Sequence, residues 1–152
     1  MLHRQAGFTL IELLVTVVLL SLALVSLSSL FVSAVTSDTK ARYLQIAADR
    51  VQREVERLRS VNFNSITATN TALFDPAKGY TLLSADARQM GTLSFTDASL
   101  PGASGQIAIA YYDPGTGIYP SLKQITVTLS WSGARLARGS VTNVLLVANR
   151  PT

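Results

Sequence analysis

From Leu13 to Ser37 the chain carries no charged residue, and from Phe8 to Asp75 it contains neither glycine nor proline. Few folds survive both conditions. Glycine and proline are the residues that most disfavour a helix interior, so their absence permits one unbroken helix from residue 8 to about 60. At about 1.5 Å per residue such a helix is roughly 80 Å long. Its segment Phe8–Phe31, dominated by Leu, Val and Ala, spans roughly 36 Å, enough to cross a bilayer core.

Composition narrows the rest. In 152 residues there is room for one such segment and one small domain. Thirteen Lys and Arg against nine Asp and Glu give a formal charge of +4, too mild an excess to call for nucleic acid. There is no cysteine, and the only histidine, His3, precedes the apolar run. A chain shortened past His3 has no general-base histidine, no thiolate and no zinc ligand set of the common kinds. Nothing singles out a carboxylate pair for catalysis, so the expectation is a protein that is not an enzyme and needs no cofactor or metal.

Three readings of the apolar run compete. A secretory signal would use Arg4 as its basic flank and Val32-Ser33-Ala34 as a cleavage site, but its apolar region should be only about 7–15 residues. A plain single-pass anchor accounts for the length and leaves Glu12, at the mouth of the run, unexplained. The third starts from order. The polar leader MLHRQAG comes first, and a cut between Gly7 and Phe8 would precede the apolar helix and leave it attached.

The segment GFTLIELL resembles the class III signal sequence of type IV pilins and pseudopilins. That resemblance implies cleavage after Gly7 by a prepilin peptidase, N-methylation of Phe8, and a role for Glu12 in assembly, pairing with the N-terminal amine of a neighbouring subunit. An intramembrane carboxylate is a functional-site candidate with a partner to be named, and pairing in an apolar bundle offsets desolvation of both ions. The resemblance also implies a membrane subunit with its head in the periplasm or outside, later part of a pilus or pseudopilus. Other pilin-like subunits would be its partners through the apolar helix. Many major pilins carry a proline inside this run. Its absence here, with the absence of a cysteine pair, suits a minor pilin or a type II secretion pseudopilin. The alternative of another class is a membrane-anchored binding module that never polymerises, for DNA or a surface ligand.

Beyond Ser37 the sequence DTKARYLQIAADRVQREVERLRSVNF turns amphipathic. Leu44, Ala48, Val51, Val55 and Leu58 mark one apolar face, and Asp38–Arg42, Asp49–Arg53 and Arg50–Glu54 are i,i+4 pairs on the wetter side. A basic stripe for DNA (Arg42, Arg50, Arg53, Arg57, Arg59) is interrupted by Asp49, Glu54 and Glu56, which favours a solvated face. Residues 61–79 read as a loop. Tyr80–Ser84 and Thr92–Phe95 are short strand candidates, and alternation at Ile107/Ile109/Tyr111 and Ile125/Val127/Leu129/Trp131 predicts half-buried strands, with Val141–Val147 a last one. Short connections make them antiparallel. The fold class is therefore α+β: a long helix over about 8–60, its C-terminal half packed on a three- or four-stranded antiparallel sheet. The parts are a leader at 1–7, an apolar helix at 8–37, an amphipathic helix at 38–60 and a head at 61–152. KQITVTLSW followed by a final apolar strand is similar to the end of PilV-type minor pilins.

Smaller candidates reduce to structure. Gly115 and Gly117 lack the following helix and Lys-Ser/Thr of a phosphate cradle and suit a turn. Asp75, Asp86, Asp97 and Asp113 have no calcium-loop spacing and suit caps and turns. Trp131 suits the core, and Tyr111, Tyr112 and Tyr119 suit cross-strand packing better than an exposed patch.

Overall fold

The computed structural model describes residues 9–115, 117–133 and 138–149. Helix α1 runs Leu10–Arg59, as the missing breakers allow, and is followed by five strands: β1 (Tyr80–Ala85), β2 (Gly91–Phe95), β3 (Ser104–Tyr112), β4 (Tyr119–Trp131) and β5 (Gly139–Ala148). Two units divide at Thr39/Lys40. In the first, every side chain from Leu10 through Ser37 is exposed. In the second, the remaining turns of α1 pack on the sheet, so the fold is α+β with a helix against an antiparallel sheet.

The sheet has five strands, not three or four, because both short N-terminal candidates join it; its order is β1-β2-β3-β4-β5, each pair antiparallel. A meander of this kind needs only hairpins and short loops, consistent with the turn-rich connections. Strand β4 begins at Tyr119, soon after the turn glycines Gly115 and Gly117, and Tyr119 pairs with Tyr112 after a register shift. Period-two alternation decides what faces inward: Ile125, Val127, Leu129 and Trp131 are buried on β4, and Ile107 and Ile109 on β3. At two register pairs an aromatic ring lies over glycine. A Cβ on Gly105 would overlap the Phe95 ring, and one on Gly139 would overlap the Trp131 indole, so neither position accepts a side chain without a shift.

The buried face of α1 differs from the stripe read off the sequence. Val51, Val55 and Leu58 are buried as expected, but Ala47 replaces Ala48, and Leu44 is 45% exposed. The face follows 47, 51, 54/55 and 58, and it therefore takes in Glu54, which its i,i+4 spacing from Arg50 assigns to the wet side. Glu54 is 2% exposed.

Candidate assembly site and the polar core of the head

The start of α1 is built by a capping interaction. Thr9 precedes the helix, its hydroxyl accepts the N–H of Glu12 at 3.3 Å, and its carbonyl accepts the N–H of Leu13 at 3.2 Å. Thr9 is thus the N-cap and Glu12 the third helical residue, the spacing of a capping box. A carboxylate in the first turn also suits the partial positive charge of a helix N-terminus. The Thr-x-x-Glu signal is present in the sequence, and in the structure the Glu12 backbone N–H takes the Thr9 hydroxyl. Gly7 and Phe8 lie outside the described residues.

Downstream, the apolar unit disposes of its own polar atoms. The hydroxyls of Thr16, Ser21, Ser26, Ser28, Ser29, Thr36 and Thr39 each donate to a carbonyl three or four residues earlier, at 2.8–2.9 Å. Such back-bonding leaves no hydroxyl in this set needing water, the condition an apolar environment imposes. Leucines and valines cover the helix all round, with Leu10, Val25 and Phe31 among the most exposed. By length and composition this helix is long and apolar enough to cross a membrane.

The head solves the same problem with tertiary contacts. The buried Glu54 carboxylate accepts the Tyr80 hydroxyl at 2.8 Å, pairs with Arg50 at 3.0 Å and with Arg57 at 2.8 Å. Arg57 goes on to the Leu73 carbonyl at 2.7 Å and the Tyr80 hydroxyl at 3.1 Å, and its guanidinium lies over the Phe74 and Tyr80 rings. Arg50 lies over Phe95 and reaches Asp97 at 3.0 Å. One carboxylate thereby joins α1 to the loop, to β1 and to the β2–β3 connection. Burial pushes the Tyr80 phenol above its ordinary 10.0, and the Glu54 carboxylate reinforces the shift. Burial works against the Asp97 carboxylate, but hydrogen bonds from the Ser99 hydroxyl and N–H, with Arg50 and Arg53 nearby, outweigh it and hold Asp97 below 3.8.

Lys123 is a second buried charge, and sequence reasoning missed it too. It is 3% exposed, and its ammonium donates to the carbonyls of Phe63 and Ile66, each at 2.8 Å, while lying 4.4 Å from the centre of the Phe63 ring. Burial lowers its pKa from 10.5. The signal is its phase: Lys123 stands two residues before Ile125, on the inward side of β4.

The remaining candidates fall into place as structural residues. Arg53 pairs with Asp49 and Arg59 with Glu56, so charges of the basic stripe are balanced on the helix itself. Asp75, Asp86, Asp97 and Asp113 accept backbone N–H groups two residues on, from Ala77, Arg88, Ser99 and Gly115. Among the described residues no group of three His, Cys, Asp or Glu side chains is placed to hold a metal. Gly115 and Gly117 take positive φ in the β3–β4 turn. Tyr112 and Tyr119 face each other across the strands at 6.3 Å, and Trp131 is core.

Among known families, the match falls at the N-terminus. Residues 2–28 match the family described as the prokaryotic N-terminal methylation motif. This is a type IV pilin-like signal, and it supports a pilin-like or pseudopilin substrate of prepilin peptidase that assembles with other such subunits. The motif and the apolar helix together fit a membrane-anchored subunit. No curated protein and no solved structure matches the chain.

Proposed function

We propose that this chain is a minor pilin, a mechanical subunit rather than an enzyme, cleaved between Gly7 and Phe8, methylated at Phe8 and built into a type IV pilus through its apolar helix. The observation that carries the reading is the methylation motif over residues 2–28 lying on a helix whose side chains from Leu10 through Ser37 are all exposed. Before assembly the exposed apolar surface requires lipid, and afterwards the equivalent surfaces of neighbouring helices. Glu12, near the helix start, pairs with the Phe8 amine of a neighbouring subunit and favours one axial register, because a carboxylate left unpaired among apolar helices keeps its desolvation cost. The PilV-type resemblance at residues 123–131 supports the minor-pilin assignment. The proline-free helix equally suits a type II secretion pseudopilin, which shares the same leader.

Mass spectrometry of the protein extracted from membranes tests the processing. The expected N-terminus is Phe8 with one added methyl group; an intact Met1, or a start at Val35, overturns the reading. Glu12→Ala separates processing from assembly: the variant should be cut normally and recovered poorly in filaments. Filaments containing it at the wild-type level would remove Glu12 from the mechanism.

A further inference from the structure

The two edges of the sheet are unlike. Strand β1 is six residues long and carries a bulge between Leu82 and Ser84. Bulges, charges and brevity are how natural sheets keep an edge from pairing with another chain. Strand β5 has none of these within it. Its ten residues, GSVTNVLLVA, include no charge and no proline, and its ladder to β4 runs from Leu122–Ala148 to Trp131–Gly139 without a register shift. Beyond that ladder, and a bond from the Asn149 N–H to the Ser121 carbonyl, the described residues give this segment no further backbone bond. Its outward side chains Val144 and Leu146 are each 51% exposed.

A cleft of roughly 820 Å³ opens beside the C-terminal half of this edge, bordered by residues 145–149 and by Val61, Asn62, Phe63 and Asn64. The border at Phe63 is fixed: Lys123 holds the Phe63 and Ile66 carbonyls. A row of backbone donors and acceptors without a partner among the described residues, at strand spacing and beside a cleft of mixed polar and apolar lining, suits an extended peptide.

Charge narrows the choice further. From Pro114 to Thr152 there is no acidic residue, while Arg138 and Arg150 flank β5 in the sequence; Arg59, which borders the cleft, is already paired with Glu56. A second β5 has the same excess of basic residues in its flanking sequence, and like charges oppose pairing the two. We propose that the β5 edge and its cleft form a strand-addition site for an extended segment of a partner protein, uncharged and alternately apolar at its centre and acidic at its flanks.

The test uses the full chain in detergent micelles and does not depend on where the leader is cut. One synthetic peptide has a Thr-Val-Thr-Val-Thr-Val core with two glutamates at each end; a second replaces those glutamates by lysines, and a third puts proline in the core of the first. The acid-flanked peptide should slow amide exchange across 139–148 and bind at least about tenfold more tightly than the lysine-flanked one. The proline peptide should give no protection. Leu146→Glu should weaken the acid-flanked peptide without changing the melting temperature. Absence of protection, equal protection by both charged peptides, or protection confined to β1 overturns the proposal. So does a β5-mediated dimer of the protein alone, which would make a second copy the occupant.

Discussion

Residues 10–39 and 40–59 belong to one helix and meet its demands in opposite ways. In the first stretch the hydroxyls of Thr16, Ser21 and Ser26 bond to their own backbone, and the side chains Leu10 through Ser37 are exposed. In the second, polar groups are satisfied from outside the helix: Glu54 by Tyr80, Arg57 by Leu73, Arg50 by Asp97. The first stretch is complete as a helix and needs only an apolar surrounding. The second is complete only when its own sheet and loops are in place. Self-contained polar groups leave a surface free to meet many similar neighbours, whereas a shared buried network fixes one register.

The sharpest way to break this contrast is at Glu54. Glu54→Ala leaves Arg50 and Arg57 without their common carboxylate, and removing one partner of a buried pair costs about 3–5 kcal/mol. Denaturation of the head followed by Trp131 fluorescence should show that loss, with the helix signal of the apolar unit unchanged. The mirror experiment is Leu20→Arg. It should cost about 2.5–3.5 kcal/mol in membrane insertion assayed by glycosylation mapping, and leave the unfolding midpoint of the head where it was.

Lys123→Met removes the donor to two carbonyls while keeping the bulk; the Phe63 carbonyl keeps the Ile66 N–H, and an expected loss of about 1–3 kcal/mol follows from leaving the buried Ile66 carbonyl unpaired. Faster amide exchange should be concentrated in residues 61–68. The smallest effect concerns acid. Because Asp97 is held below 3.8 in the folded protein, the unfolded chain takes up its proton first as pH falls. The stability it contributes is full above 3.8 and is lost as pH drops through its folded value. Asp97→Asn should therefore show a shallower fall in stability below pH 3.8 than the wild type, measured by denaturant titration at several pH values.

Much of this architecture is legible in the sequence, and the misses have physical causes. The long helix follows from the absence of glycine and proline, and β3 and β4 from strict alternation at Ile107/Ile109 and Ile125/Val127/Leu129. Strands β1 and β2 are short and only weakly patterned, so their joining a five-stranded sheet depends on pairing with β3. Glu54 reads as a surface ion pair because Arg50 stands four residues before it, although Val51, Val55 and Leu58 share its face. Pairing along a helix looks the same in sequence whether the pair is wet or dry. At the other end, the Thr9–Glu12 cap is visible as spacing, but it lies inside the leader signal, where the same residues also spell a processing motif.

The sequence by itself determined that an uncharged, unbroken helix would follow a short polar leader, because breakers and charges act locally and need no partner to have their effect. It also determined which side of β3 and β4 would be buried. The tertiary structure alone decided that Glu54 and Lys123 lie inside, which side chains and carbonyls satisfy them, and that β5 ends the order of strands in the sheet. Those outcomes depend on which distant segments meet, and a polar group's burial is tolerable only once the partner that satisfies it has been brought there by the fold.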